Sequence, residues 1–242
     1  MKHVVQFSGG KDSTCMLLMM LEKGMQVDEI IFCDTGKEFP GMYTHIQRVS
    51  DYIKPYGKKI TMLTYKYTFD YLMFDIEKTK GKNIGEKGYN WARAWRRWCT
   101  AYLKIKPVAD YLKKIEDGYK LYIGIAWDEP KRHELIKKNH VHPLFDWGIT
   151  EKQALEYCYS KGFNWGGLYE DFDRVSCWCC PLQPIRSLRT LYKKYPDLWE
   201  QLKEMDNRCK FTFKPDCSVL DFEERFKRED WKASIEIDLF QK

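Results

Sequence analysis

Near the start of the chain, Val4-Val5-Gln6-Phe7 runs into Ser8-Gly9-Gly10-Lys11-Asp12-Ser13, and an apolar helical pattern follows at Cys15, Met16, Leu17, Leu18 and Leu21. Strand, glycine turn and helix start together make an anion cradle. A helix N-terminus offers unpaired N–H groups and the positive end of a dipole. Two adjacent glycines let a phosphate approach the backbone. Lys11 adds a cation, Ser8 and Ser13 add hydroxyl donors, and Asp12 can position a metal ion or the nucleotide itself. The expected ligand carries phosphate. Adjacent glycines exclude a Walker loop, which needs four residues between Gly and Gly-Lys-Ser/Thr, and they exclude the Gly-x-Gly-x-x-Gly fingerprint.

A second group of reactive side chains lies at Cys177-Trp178-Cys179-Cys180-Pro181. A Cys-x-x-Cys pair such as Cys177 and Cys180 can present two thiolates to one metal or cluster. Cys99, in Arg96-Arg97-Trp98-Cys99-Thr100, precedes an expected helix, where a thiol near arginines suits a ligand or a nucleophile. Cys179 is a further candidate ligand. Cys15, Cys33 and Cys158 fall on apolar faces and read as small buried hydrophobes, while Cys209 and Cys217 stay open. Thiolates alone do not separate zinc from an iron–sulfur cluster.

Trp91-Ala92-Arg93-Ala94-Trp95-Arg96-Arg97-Trp98 interleaves aromatics with arginines. That pattern suits a surface that stacks on bases and contacts phosphates. It also suits a charged helix docked by three tryptophans.

These residues need a scaffold. Strand patterns at His3–Phe7, Glu29–Cys33, Ile60–Tyr65 and Leu121–Ile125 alternate with helical ones at Asp12–Lys23, Pro40–Lys54 and Tyr102–Ile115. The alternation predicts an α/β fold with a mostly parallel sheet flanked by helices. In such sheets ligands bind beyond the carboxyl ends of the strands. The glycine loop, Asp34-Thr35-Gly36 and Trp127-Asp128-Glu129 would all lie there. Residues Glu77 to Tyr89 read as a long mobile loop, either a lid or a solvated connection. Residues 1–150 are expected as a nucleotide-binding domain and 151–242 as a helical and irregular region carrying the cysteine motif. Helices are expected at Thr150–Lys161 with a capping box, Pro184–Tyr195 and Pro196–Met205, with a mixed tail from Leu220.

With 242 residues the chain can bury a core without staples. A net charge of +6 is too mild to argue for nucleic acid by itself. No run is apolar enough to span a membrane, and a strand begins at once, so a cytoplasmic protein with thiols rather than disulfides is expected.

Ser8–Ser13 resembles the pyrophosphate loop of the adenine nucleotide alpha hydrolase superfamily, and the two motifs together resemble the phosphoadenosine phosphosulfate reductase family within it. The resemblance covers roughly residues 1–185. Asp34-Thr35-Gly36-Lys37-Glu38-Phe39-Pro40 is similar to the family's stretch beside adenine and ribose. Arg97-Trp98-Cys99-Thr100 with Leu103-Lys104 and Pro107 is similar to its Arg-x-Cys-x-x-x-Lys-x-x-Pro segment. Gly124 and Arg132 match its Gly-x-Arg segment and later arginine, and Cys177–Pro181 its Cys-x-x-Cys-Pro. The resemblance implies an adenine nucleotide, ATP or an adenylated sulfur compound, with Mg²⁺, and thiolates for a [4Fe-4S] cluster.

Three departures shape the expectation. Ala126 stands where the family carries an arginine, Trp98-Cys99 replaces paired cysteines, and no Glu-Cys-Gly-Leu-His nucleophile occurs. The expected function is therefore ATP-dependent activation of a substrate with pyrophosphate release, coupled to iron–sulfur-dependent sulfur transfer. Lys11, Asp12 and Cys99 would be catalytic, tRNA or DNA a possible acceptor, and a sulfur-donor protein a possible partner. The alternatives are a sulfonucleotide reductase and a nucleotide- or nucleic-acid-binding module with structural zinc and no turnover.

Overall fold

The computed structural model describes residues 1–135 and 137–240. They form two compact units: residues 1–66 with 99–175, and residues 67–98 with Ser176 onward. This differs from a single cut at residue 150.

The first unit is built on a parallel sheet of β1 (Lys2–Gln6), β2 (Glu29–Cys33), β3 (Ile60–Leu63), β4 (Tyr119–Ile123) and β5 (His140–Val141), in the order β3-β2-β1-β4-β5. The expected strands are present within a residue or two; β5, two residues long, is too short to leave a pattern. α1 (Lys11–Glu22) and α2 (Pro40–Ile53) follow β1 and β2. Val4, Ile31 and Leu121 pack with Val108 and Leu112 on one face, while Val5, Ile30 and Phe32 alternate to the other. Burial on both faces explains the continuous apolar runs.

The helix expected over Tyr102–Ile115 begins instead as a π-helical turn, Thr100–Ile105, and tightens into α3 at Lys106–Leu112. Pro107 has no N–H to give the preceding turn, which widens it. Short helices α4 (Pro130–His133) and α5 (Pro143–Asp146) lead to α6 (Glu151–Ser160), and α7 (Leu168–Asp171) follows. The capping box is formed as expected: Thr150 Oγ1 accepts from Gln153 N–H, and Gln153 Oε1 accepts from Thr150 N–H. α6 packs along α1 with Ala154 and Cys158 buried, which is why it belongs to the first unit.

The second unit contains α8 (Ile185–Lys194), α9 (Pro196–Arg208) and α10 (Val219–Phe240). The tail expected to be mixed is this last helix, as far as residue 240; the final two residues lie outside the described ones. Val219, Phe222 and Phe226 form its buried stripe, and Ser218 and Asp221 exchange hydrogen bonds at its start.

Two further expectations change here. The stretch from Glu77 to Tyr89 is folded on itself: Glu77 bridges Lys87, Lys78 N–H donates to Glu86 O, and the buried Lys78 ammonium pairs with Glu86 at 3.1 Å. The Trp91–Trp98 segment is not a helix. Arg93 and Arg96 exchange backbone hydrogen bonds of 3.3 and 2.9 Å, closing a hairpin with Ala94 and Trp95 at its tip.

Candidate phosphate site and cysteine turn

In the sheet, β1 lies between β2 and β4, so the chain reverses direction of winding at β1 and β4. Crevices open at such switch points. Gly9 and Gly10 end β1 there, and Gly124 ends β4. Gly9 has φ +78°, and a Cβ on it would stand 2.7 Å from Met42 Sδ. A Cβ on Gly124 would stand 2.7 Å from Ser13 N and 2.8 Å from the Asp12 carbonyl carbon, both backbone atoms. Gly124 is therefore what lets the start of α1 lie against β4.

The loop is stapled from within. Ser13 Oγ accepts from Ser8 N–H at 3.1 Å and donates to Gly10 O at 3.0 Å, and it lies 3.0 Å from Ser8 Oγ. The two hydroxyls expected as ligand donors are thus engaged in holding the loop. Trp165 Nε1–H donates to Gly9 O at 2.7 Å, and Lys11 N–H donates to the Tyr169 hydroxyl at 2.9 Å. Beneath, Thr14 Oγ1 meets His45 Nε2 at 3.0 Å, and His45 stacks on Trp165. Burial holds the His45 imidazole down at about 3.

A cavity of about 130 Å³ opens on this loop, lined by Ser8, Gly10, Lys11, Asp12, Ser13, Gly124, Arg132, Glu151, Tyr169, Arg174 and Val175. Ligand pockets for whole drug-sized molecules run to about 300 Å³ or more, so this one suits the phosphate end of a nucleotide. The Lys11 ammonium, only 8% exposed as a residue, lies 3.1 Å from Asp12 Oδ2 and 3.3 Å from Glu151 Oε1. Burial pushes the Asp12 carboxyl up to about 6, against the pull of Lys11 and with a further push from Glu151 and Glu129. Its Oδ1 is buried without a hydrogen-bond partner. Arg132 is gripped by both oxygens of Glu129, at 2.6 and 2.7 Å. A bare polyphosphate here would meet Asp12 and Glu151. A divalent cation between phosphate and carboxylate removes that repulsion, and hard oxygen donors such as Asp12 Oδ1 suit Mg²⁺.

Asp34, Thr35 and Gly36 lie at the end of β2 and do not line this cavity. Asp34 Oδ1 accepts from Gly36 N–H and from the Tyr43 hydroxyl, both at 2.8 Å. Thr35 Oγ1 donates to Glu38 Oε1 at 3.1 Å. The segment is a locked turn. Cys99 precedes the π-helical turn in the first unit.

In the second unit, Cys180 N–H donates to Cys177 O at 3.1 Å, so Cys177 and Cys180 stand at the two ends of one turn. Both are half-buried, whereas Cys179 is buried. Lys214 Nζ donates to Pro181 O at 2.6 Å and Gln183 O at 2.7 Å, fixing the chain beyond the turn. None of the nine cysteines is joined in a disulfide. The donor set is soft and suits zinc or an iron–sulfur cluster. Among the described residues, no group of three or more His, Cys, Asp or Glu side chains is set to hold a metal ion. Cys15 and Cys158 are buried as expected, and burial pushes the Cys33 thiol up to about 11 and Cys209 to about 12.

The family model of the phosphoadenosine phosphosulfate reductase domain matches residues 2–183. The chain belongs to this family. Two uncharacterized proteins of Methanocaldococcus jannaschii resemble it: MJ0066 is 28% identical over 218 residues and MJ0973 is 29% identical over 205. Those matches take in 82% and 81% of the chain but 40% and 45% of the relatives, so the chain spans less than half their length. Among solved structures it is similar to the U34-tRNA thiolase NcsA from Methanococcus maripaludis with its [4Fe-4S] cluster, at 16% identity, covering 94% of this chain and 72% of that one with a TM-score of 0.44. That likeness is too loose to carry chemistry across. Within this phosphoadenosine phosphosulfate reductase domain, Glu151, Tyr169 and Arg174 line the cavity although the motifs do not announce them, while Glu129, expected at this end of the sheet, meets it through Arg132. Glu151 is placed by the Thr150 capping box, which is visible in sequence, but nothing local says that it faces Lys11. No helix among the described residues is long and apolar enough to cross a membrane.

Proposed function

We propose that the phosphate loop binds ATP with Mg²⁺ and activates an acceptor by adenylation for sulfur transfer. The observation that supports this most is Asp12 Oδ1, buried without a partner beside Lys11 in a phosphate-sized cavity. An acceptor oxygen attacks the α-phosphorus; the new P–O bond forms as the bond to the β-phosphate oxygen breaks, and pyrophosphate leaves. Lys11 and the guanidinium groups of Arg132 and Arg174 stabilise the charge that collects on pyrophosphate. Asp12 would hold Mg²⁺, which supplies charge neutralisation when bound. Sulfide then displaces AMP from the acceptor, forming C–S as C–O breaks. Cys177 and Cys180, with Cys179 as a further candidate, would hold a cluster able to carry that sulfur. In this reading the chemistry runs in the cytoplasm, whose reducing conditions keep thiolates available as ligands, with a separate protein as the sulfur donor.

Protein prepared anaerobically should be brown, absorb broadly near ~400 nm and contain iron and sulfide. It should release pyrophosphate from ATP when an acceptor is supplied. Colourless, zinc-containing protein would overturn the cluster assignment. The family match favours one second reading, reduction of a sulfonucleotide. Thiol-dependent sulfite release from an adenylated sulfate, with no pyrophosphate from ATP, would establish that reading instead.

A further inference from the structure

The tryptophan hairpin is not used by the chemistry above. Its three indoles have different fates. Trp91 is buried and donates from Nε1 to Asp206 Oδ1 at 2.7 Å; Trp98 is buried and donates to Asn90 O at 2.9 Å. Trp95, at the tip, is 80% exposed. The turn beneath it is braced on the segment after α9. The Arg93 guanidinium donates to Phe213 O and Thr212 O, both at 2.7 Å, and Asn90 Oδ1 accepts from Lys210 N–H at 2.7 Å. In that segment Phe211 is 53% exposed.

A large apolar ring held out in water on a braced turn is what a recognition surface needs, since ordering it on binding gives up little further entropy. The charges next to Trp95 in sequence are basic: Arg93, Arg96 and Arg97. Arg96 lies over the Tyr89 ring, and among the described residues neither it nor Arg97, Lys80, Lys82 or Lys87 has a carboxylate partner. Glu86, the acid nearest in sequence, is taken up by Lys78 and Lys210. An acidic protein segment would match the cations but leave the indole unused. A nucleotide with an unstacked base matches both: the base covers the indole, and flanking phosphates meet the guanidinium groups.

We propose that the Trp95 hairpin docks an unpaired stretch of nucleic acid, with Trp95 stacking on a base and Arg96 and Arg97 contacting adjacent phosphates. This deepens the proposed function by naming the class of acceptor, but its test requires no turnover. Fluorescence anisotropy of a labelled single-stranded 15-mer of thymidine or uridine, titrated with the full chain, should show binding that weakens with salt. Trp95→Ala should weaken it about tenfold or more, and Trp95→Phe should restore most of it. Arg96→Gln with Arg97→Gln should reduce the slope of log K against log salt by about 1.4, two phosphate contacts at about 0.7 each. ATP affinity and thermal stability should be unchanged in Trp95→Ala, because the ring is exposed. Lys11→Ala should lose ATP and keep the oligonucleotide, so that failure at the phosphate loop and failure at the hairpin read differently. Oligonucleotide affinity unaltered by Trp95→Ala, or equal for single strand and duplex, would overturn the proposal. So would a concentration-dependent dimer that Trp95→Ala dissolves, which would make a second copy of the chain the occupant.

Discussion

The phosphate loop and the tryptophan hairpin are both tight turns braced by distant side chains, yet they leave opposite things over. At the loop, Ser8, Ser13, Trp165 and Tyr169 consume the hydroxyls, a carbonyl and an amide, and what stays unmatched is one carboxylate oxygen buried beside an ammonium. At the hairpin, Arg93, Asn90 and Asp206 close the polar bonds, and what stays unmatched is a ring and two guanidinium groups in water. A buried unmet carboxylate oxygen selects a small cation, where desolvation is already complete. An exposed unmet ring selects a large partner that brings its own surface.

Lys11→Ala should break the first side of this contrast most severely. Removing the cation that faces the leaving phosphates should lower pyrophosphate release about 100-fold or more, measured by a coupled pyrophosphate assay. Retained activity would remove the loop from the chemistry. Gly124→Ala comes next. Its Cβ would meet Ser13 N and the Asp12 carbonyl carbon below 3 Å, and backbone cannot swing aside. A loss of about 1–3 kcal/mol in urea unfolding is expected, together with weaker ATP binding and intact oligonucleotide binding. On the other side, Arg93→Met should leave the Thr212 and Phe213 carbonyls without their donor, costing about 1–3 kcal/mol. Oligonucleotide binding should weaken although Trp95 is untouched. Unchanged binding would mean the brace is irrelevant and the exposed ring acts alone.

The smallest effect is a slope. Burial holds His45 down at about 3, so between that pH and 6.5 the unfolded chain binds a proton that the folded chain refuses, and stability rises with pH. Burial pushes Asp12 up to about 6, so between 3.8 and that pH the folded chain holds the extra proton, and stability falls as pH rises. Each contributes up to about 1.4 kcal/mol per pH unit, with opposite signs. Ligand-free protein should therefore show little change in unfolding free energy from these two groups over pH 4–6. His45→Gln should unmask the Asp12 slope, with stability dropping as pH climbs through that window. A rising curve in the variant would contradict the burial of Asp12.

What could be read from sequence was what spacing encodes. Val4 to Ser13 carries a strand, a turn and a helix start within ten residues, and the alternation that follows dictates a parallel sheet whose switch point falls at that turn. Gly124 was visible through resemblance, though its reason, the close approach of the α1 backbone, is a tertiary fact. Tyr169 and Trp165 reach the loop across more than 150 residues and carry no local pattern. The hairpin was misread as a possible helix because Ala94-Trp95 lacks the glycine or asparagine that usually marks a two-residue turn. Its shape is imposed by the Arg93 fork on residues 212 and 213. The tail after Ser218 looked mixed because its polar face is charged; its buried Val219, Phe222 and Phe226 stripe needed α9 to be seen as one.

The order of the strands also sets a schedule for making the protein. β1 precedes the other strands of the sheet in the chain, yet it is an inner strand, and its β4 neighbour is made over a hundred residues later. Gly124, Glu151 and Tyr169 follow in turn. A nascent chain therefore carries Ser8–Ser13 without all the partners that shape it until Tyr169 has been made. The phosphate loop, made ahead of the residues that complete it, is among the last parts of the first unit to become competent, and no chain interrupted before Tyr169 can have its finished form.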